Sequence, residues 1–414
     1  MKKLFEKMLM LMTILVIASC SKEEGPDWGG NDGSINGSIV YYGKANSVIA
    51  SEAGDYAVDA TPYYSDKNYR YTEKTKETLT KATKAAVIWQ TKPNLLSDVL
   101  LDASQTEVKF SVNELGGNAL IALYDAAGTV LWSFHIWCTE QPKDCYYQNG
   151  YIVMDRNLGA SSFENSGMLY QWGRKDPFGS NQSETLYDAD GINRTQSWET
   201  DIVNISAATG TIVYAIQHPT TFISATGEVI PGKHDKYYND YDWYYAPDRN
   251  NKLWQESKKS IYDPCPEGYR VSNLASWQNN FTAGGDKYVG IDDVSTNDNY
   301  HWATPIAQQV NAEGMVYDTA TKKLPGCDAY GGIKFYYQEW GKGNTTFIPY
   351  TTSRMYNGEY AGATVYWTTT PASKSEKGSV HYYKIERSDK SLIINPYTWN
   401  TRSSAHAVRC IKDI

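Results

Sequence analysis

Residues 107–137 read EVKFSVNELGGNALIALYDAAGTVLWSFHIW and contain the clearest strand pattern in the chain. Polar and apolar residues alternate over 107–112, an apolar run covers 119–124, and alternation returns over 129–137. Because successive side chains of a strand point to opposite sides, four apolar residues of the last segment share one face: Val130, Trp132, Phe134 and Ile136. Glycine-containing turns separate the segments, and such spacing predicts a β-sandwich over residues 38–140.

Composition limits the classes of function. The 414 residues include 39 Lys and Arg against 47 Asp and Glu, so the formal net charge is -8 and a nucleic-acid partner is disfavoured. The chain also holds 34 Tyr and 13 Trp, residues that suit both cores and wet contact surfaces.

The first twenty residues, MKKLFEKMLMLMTILVIASC, combine a basic start with a short apolar run. This run is too short to span a bilayer, so residues 1–19 are predicted to be a signal peptide. The end of the segment resembles the lipobox of bacterial lipoproteins, which implies lipidation of Cys20; the alternative is an ordinary signal peptide with an incidental cysteine. The acidic stretch 21–24 resembles the surface-export signal of Bacteroides-type lipoproteins, which implies an outer-membrane protein facing the exterior. Residues 20–37 are rich in Gly, Asp, Asn and Ser and are predicted to be a flexible tether.

Five further cysteines follow Cys20, so at least one of them is unpaired. Cys138 and Cys145 flank a short loop and are candidates for a local disulfide, while a Cys265–Cys410 bond would close a much longer loop. Cys327 is then left over. The alternative is that all five are reduced and buried.

The residue pattern of the sequence changes near 139–145. Five distinctive motifs follow in order: VMDRNLGA at 153–160, YQWGRKDPF at 170–178, DPCPEGYRV at 263–271, YWTTT at 366–370 and AVRC at 407–410. They resemble the Fibrobacter-type major paralogous domain. Residues 117–119 (GNA) and 129–137 resemble the β domain that precedes a second domain in Bacteroides-type, fimbrillin-like surface proteins.

The resemblance implies a C-type lectin-like α+β domain over 141–414, and hence an α+β chain overall. In such folds a cysteine near the first helix can bridge to the last strand, a pairing that Cys265 and Cys410 fit. The predicted helices are Leu274–Phe281, capped by Ser272 or Asn273, and one near 305–311. The first calcium-binding triplet of lectins, EPN or QPD, does not occur in the sequence. The second, WND, is incomplete, because Trp399-Asn400 is followed by Thr401 and the carboxylate ligand is missing. The paired cysteines of formylglycine-generating relatives are missing as well.

The densest aromatic segment is KYYNDYDWYYAPD at 236–248. Aromatic rings stack on the apolar faces of sugars while carboxylates take their hydroxyls, so seven residues are candidate ligand-binding residues: Tyr237, Tyr238, Tyr241, Asp242, Trp243, Tyr244 and Tyr245. The alternative is that these rings form an irregular core.

Most other conspicuous residues have structural interpretations. Trp132, Trp137, Trp172 and Trp367 are predicted to be core residues, and the charged residues of 155–156 and 174–176 to form ion pairs. No cofactor is expected; the alternative is calcium at the acidic segments 188–193 or 290–299.

Common catalytic motifs such as HExxH, the Walker A loop, GxGxxG and GxSxG are absent from the sequence. We therefore predict a non-enzymatic, lipid-anchored adhesion module, alone or as a minor or tip component of a fimbria. Its expected partners are a glycan or a host or bacterial surface protein, and fimbrial subunits. The alternatives are a purely structural fimbrial subunit or anchor, and a surface polysaccharide-degrading enzyme with two catalytic carboxylates.

Overall fold

A computed structural model describes most of the chain from residue 40 onward. The described residues are 40–42, 45–60, 82–147, 149–180, 184–226, 242–245, 250–277, 281–282, 288–289, 302–305, 332–336, 345–362, 364–371, 379–387 and 391–414. The predicted signal peptide and tether, Cys20 and Cys327 lie outside these ranges.

Among the described residues, eight strands precede residue 139: β1 (Val40–Tyr42), β2 (Ser47–Ala50), β3 (Gly54–Asp59), β4 (Lys84–Gln90), β5 (Leu96–Leu101), β6 (Glu107–Val112), β7 (Gly117–Tyr124) and β8 (Val130–Cys138). Next come β9 (Asp144–Tyr146), β10 (Ile152–Met154), β11 (Leu169–Gln171), α1 (Thr195–Glu199), β12 (Ile202–Asn204), α2 (Ile212–Gln217), β13 (Phe222–Ser224), β14 (Tyr269–Val271) and a 3-10 helix (Leu274–Trp277).

The last part of the chain contains β15 (Phe281–Thr282), β16 (Tyr288–Val289), β17 (Trp302–Pro305), β18 (Gly332–Tyr336), β19 (Thr345–Pro349), β20 (Ser353–Arg354), β21 (Tyr360–Ala361), β22 (Thr364–Pro371), β23 (Ser379–Arg387), β24 (Ser391–Thr401), β25 (Ala405–Ala407) and β26 (Cys410–Lys412). The protein is thus mostly β-sheet with few helices. None of the helices in the described ranges is long and apolar enough to cross a membrane.

The first eight strands form two four-stranded sheets, in the orders β1-β3-β6-β5 and β2-β8-β7-β4. The predicted strands at 107–112, 119–124 and 129–137 are confirmed as β6, β7 and β8. Tyr56 and Phe110 from one sheet and Ile121 and Phe134 from the other belong to one buried cluster. The alternating apolar residues therefore face a shared core between the two sheets.

Strand β8 is buried on both faces, which the alternation alone did not indicate. Trp132 and Phe134 point into the core between the sheets. On the opposite face, Trp137 joins a second cluster together with Trp172 and Trp367, and its indole Nε1 donates to the Ala160 carbonyl at 2.9 Å. Residues beyond 140 thus cover the outer face of this sheet, and all the described residues belong to one compact unit.

A buried polar network around His135 joins the two parts of the chain. The Asn118 side chain donates through Nδ2 to a backbone carbonyl, so its Oδ1, 2.9 Å from His135 Nε2, accepts a hydrogen bond from that nitrogen. Ser47 Oγ also lies beside His135 Nδ1, but it donates its hydrogen to the Pro264 carbonyl at 2.5 Å. His135 Nδ1 therefore accepts from the Tyr170 hydroxyl, 3.1 Å away. These partners fix a neutral imidazole with one donor and one acceptor nitrogen.

The buried imidazoles predict acid sensitivity. Burial lowers the pKa of His135 and of His406 from 6.5 to about 3, so both are neutral in the folded protein near pH 5 while the unfolded chain binds protons there. Stability is then lost as pH falls from 6.5 towards 3, by at most about 1.4 kcal/mol per pH unit for each histidine. In urea unfolding between pH 7 and pH 5, His135→Gln should show a clearly shallower decline than the wild type; an equal decline would refute the assignment.

The rest of the chain forms further sheets. One has the order β14-β26-β10-β9, and a larger one runs β17-β24-β23-β22-β25-β20-β21 with β11 also paired to β25. Arg409, next to the start of β26, is fully buried and donates to the carbonyls of Met154 and Phe347, each at 3.0 Å. As predicted, Trp132, Trp137, Trp172 and Trp367 are core residues, Asp155 pairs with Arg156 and Asp176 pairs with Lys175.

One predicted disulfide is confirmed and the other is wrong. Cys265 and Cys410 are bonded and link the segment before β14 to β26. Cys138 and Cys145 are both free and buried. Cys138 packs in the core between the two first sheets, whereas Cys145 belongs to a different cluster with Val153 and Ile411. The short loop between them thus connects two separate cores, so closeness in sequence did not bring the thiols together.

The predicted helix after residue 273 is shorter than expected. It is a single 3-10 turn, Leu274–Trp277, and Asn273 Oδ1 accepts from the Ser276 amide at 2.9 Å as the predicted cap. Phe281 lies in β15 instead. For the second predicted helix, near 305–311, Pro305 ends strand β17 and the remaining residues lie outside the described ranges.

Candidate functional site

An aromatic-lined cleft opens beside the larger sheet; the free space inside it is about 20 Å³, room for roughly one water molecule, so a larger ligand would lie across its open mouth. Six described parts of the chain line it: β4, the loop that follows β11, the segment around Glu184, helix α1, the loop between α2 and β13, and strands β20 and β21. No short stretch of sequence contains the site, because its lining residues run from Trp89 to Tyr360.

A tight turn brings two lining residues together. Between β20 and β21, the Gly358 amide donates to the Met355 carbonyl at 2.7 Å, and Gly358 has φ +89°. The positive φ favours glycine here, whereas a Cβ would lie 2.6 Å from Ile202 Cδ1, the end of a flexible side chain that can shift. The turn places Arg354 and Tyr360 on neighbouring strands at the cleft.

The aromatic walls combine buried and accessible rings. Trp89 and Phe178 are nearly buried, whereas Trp198 and Tyr360 are partly exposed. The Tyr360 hydroxyl donates to the Gly179 carbonyl at 3.2 Å, and burial raises the pKa of Tyr360 to about 12. Of these two partly exposed rings, Trp198 has the larger apolar face, as a stacking contact requires.

Arg354 is a buried cation at this cleft. Its guanidinium lies 4.5 Å from the centre of the Phe222 ring and 5.4 Å from that of Tyr360. Nε donates to the Gly358 carbonyl at 3.0 Å and Nη2 to the Glu199 carbonyl at 2.7 Å. The side chain thus ties α1 to the β20–β21 turn and balances nearby negative charge.

Two carboxyl groups line the same cleft. Glu184 Oε2 accepts from the Ser180 amide at 2.5 Å. Within the described part of the chain, the buried atom Oε1 of Glu199 has no hydrogen-bond partner. Burial raises the pKa of both carboxyls, and for Glu199 the charge of Arg354 offsets part of this rise. A buried carboxylate oxygen without a partner favours a ligand that supplies a donor.

The predicted ligand-binding segment at 236–248 is described only in part. Tyr237, Tyr238 and Tyr241 lie outside the described residues. Asp242 is 3% exposed and lies 4.0 Å from Arg402 Nη1, and Trp243 is 1% exposed. These two side chains are core residues in this structure.

Trp243 donates from Nε1 to the Trp172 carbonyl at 2.8 Å, which fixes the ring in the core. Tyr244 and Tyr245 are partly buried and pack against the same cluster. Their role in binding, like that of the three undescribed tyrosines, stays a prediction.

The acidic segment 188–193 forms a turn. Asp188 Oδ1 accepts from the amides of Asp190 and Ile192, at 3.0 and 2.9 Å, and Oδ2 pairs with Arg194 at 2.9 Å. These contacts occupy both carboxylate oxygens, as expected of an Asx-type turn. No cluster of three or more potential metal ligands occurs within the ranges that the structure describes, and the second acidic segment, 290–299, lies outside them.

Comparison with protein-family models, with curated proteins and with solved structures found no match for this chain.

Proposed function

We propose that the chain is a lipid-anchored surface protein that binds a glycan in the aromatic-lined cleft, and so acts as an adhesion module, alone or as a minor or tip component of a fimbria. The proposed anchor is Cys20, supported by the basic and apolar residues before it. A protein ligand is the competing outcome of the binding test.

The finer fold assignment belongs to the same proposal. A β-sandwich over 38–140 is supported by two four-stranded sheets that share one buried cluster. A C-type lectin-like domain over 141–414 is supported by the Cys265–Cys410 bond, which joins a segment just before the 3-10 helix to the final strand.

The observation that carries the glycan proposal is the combination of Trp198 with polar groups in one cleft. Trp198 offers a partly exposed indole, while Glu184, Glu199 and Arg354 lie along the same cavity. A sugar ring needs an apolar surface for its C–H face and acceptors for its hydroxyls, and this lining provides both.

Replacing Trp198 by alanine should weaken glycan binding by roughly 30-fold, as expected for about 2 kcal/mol from a tryptophan at the centre of a contact. The full chain and Trp198→Ala should be compared on a broad glycan array and by titration with the strongest ligand. Tyr146→Ala is a matched control, because Tyr146 is 57% exposed and does not line the cleft. Failure of the full chain to bind any glycan, with binding to host matrix proteins instead, would refute the glycan proposal.

A surface polysaccharide-degrading enzyme is a second candidate, favoured by one observation. Glu184 and Glu199 line the same cleft, and burial raises the pKa of both, as suits a general acid. Release of new reducing ends from a bound polysaccharide, abolished in Glu199→Gln, would support this candidate, whereas binding without cleavage supports the adhesion module.

A further inference from the structure

We propose that the cleft selects sugars that donate a hydrogen bond to Glu199, through a hydroxyl or an ammonium group, and excludes sugars that carry a carboxylate. This inference rests on the proposed glycan-binding function and names the chemistry of the ligand.

The first argument concerns the cation in the cleft. Arg354 is the one cationic residue among the described residues that line it. Acidic ligands are commonly held by an open guanidinium fork that makes two parallel hydrogen bonds. Arg354 cannot act in this way, because it is 2% exposed and its guanidinium lies 4.5 to 5.7 Å from the ring centres of Phe222, Tyr360 and Phe178.

Two hydrogen bonds of Arg354 lead to the same conclusion. Nε and Nη2 point at backbone carbonyls, those of Gly358 and Glu199, so these donors hold the protein together. A carboxylate bound at the cleft would meet two further carboxyl groups, those of Glu184 and Glu199, and the described lining residues offer no exposed cation to pair with it.

The second argument concerns the group that lacks a partner. Glu199 Oε1 is a buried acceptor with no donor in the described part of the chain. An ionised carboxylate can only accept hydrogen bonds, so the complementary ligand group is an O–H or an N–H. Trp198, the residue before Glu199 in α1, lines the same cleft and can hold the apolar face of a ring whose donor reaches Oε1.

The protonation of Glu199 makes the expected ligand affinity depend on pH. Burial raises the pKa of Glu199, and a donor bonded to Oε1 favours the ionised form, so ligand binding should lower this pKa. Affinity for the favoured sugars should therefore decline on acidification through the raised pKa, since protonation removes the charge-assisted acceptor. The charges of Asp201 and Arg174 also interact with the charge of Arg354 near the cleft. Neither residue is changed in any of the variants below, so their contribution stays constant.

The test is titration calorimetry of the full chain with three soluble oligosaccharide classes: uncharged hexose oligomers, glucosamine oligomers and galacturonic acid oligomers. Binding by either of the first two classes and none by the third is expected; their ratio tells whether a hydroxyl or an ammonium is the donor. Glu199→Gln should weaken binding about tenfold by removing the charge from the acceptor, and Glu199→Ala should weaken it further. Glu140→Gln is the matched control, because Glu140 is exposed and is not one of the residues that line the cleft.

Three results would overturn the inference in distinguishable ways. Galacturonate oligomers binding as tightly as the uncharged ones would refute the exclusion of acidic sugars. Unchanged affinity in both Glu199 variants, while Trp198→Ala still loses binding, would show that the cleft is used without Glu199. Binding of none of the three classes would refute the proposed function itself, and this inference with it.

Discussion

Replacing Cys265 and Cys410 together by alanine is expected to lower the free energy of unfolding by about 5 kcal/mol, the value that the chain-entropy relation gives for a loop of this length. The bond joins residues 145 positions apart, so its removal restores much conformational freedom to the unfolded chain. Both cysteines are fully buried, and β26, which begins at Cys410, pairs with both β14 and β10. Loss of the disulfide should therefore destabilise β26 together with the two strands that pair with it.

Urea unfolding of the oxidised wild type, the reduced wild type and the double variant measures this effect. The last two should agree closely. Cys138→Ala controls for packing, because Cys138 is equally buried but free, and its loss should be limited to about 1 kcal/mol from the small cavity. A double variant no less stable than Cys138→Ala would contradict the role assigned to the disulfide.

Asp263→Ala is expected to destabilise the protein by about 3 to 5 kcal/mol, because it leaves a buried charge without its partner. Asp263 is fully buried and accepts from Lys259 Nζ at 3.0 Å and from the amides of Cys265 and Val271, at 2.8 and 2.9 Å. Lys259 is itself 6% exposed, and desolvation lowers its pKa. Removal of the carboxylate therefore leaves two buried amides without these acceptors, and it leaves the buried ammonium with the carbonyls of Cys265 and Tyr269 but without its charge partner.

The double variant Lys259→Met/Asp263→Ala should recover part of this loss, because no lone charge remains buried. Glu114→Ala is the control: Lys92 and Glu114 form a pair of similar length, 2.9 Å, but on the surface, where such pairs contribute about 1 kcal/mol or less. Equal losses for Asp263→Ala and Glu114→Ala in urea unfolding would contradict the buried-pair account.

The strands of the first two sheets were predictable because local alternation is a short-range signal. Residues 107–112 and 129–137 became β6 and β8 for this reason. Burial of the outer face of β8 was not predictable in the same way. His135 and Trp137 contact partners from distant parts of the chain, such as Tyr170 and Ala160, and no local pattern reports such contacts.

The candidate site was even harder to predict from local sequence patterns. Aromatic density singled out 236–248, but an aromatic ring serves a core as well as a surface, and Trp243 is in the core. The cleft instead combines Trp89, Trp198 and Arg354 from positions far apart in sequence. The best local clue to the cleft in the sequence is the pair Trp198-Glu199. This pair lies in a short polar segment that carries no recognisable motif.

A crystal structure of the full chain with its strongest-binding oligosaccharide from the array would test the proposed site. The expected result is a sugar ring against the Trp198 indole, with a hydroxyl oxygen or an ammonium nitrogen about 3 Å from Glu199 Oε1. An oligosaccharide bound instead to residues 236–248, with the cleft unoccupied, would contradict the account and return the binding role to the tyrosine-rich segment.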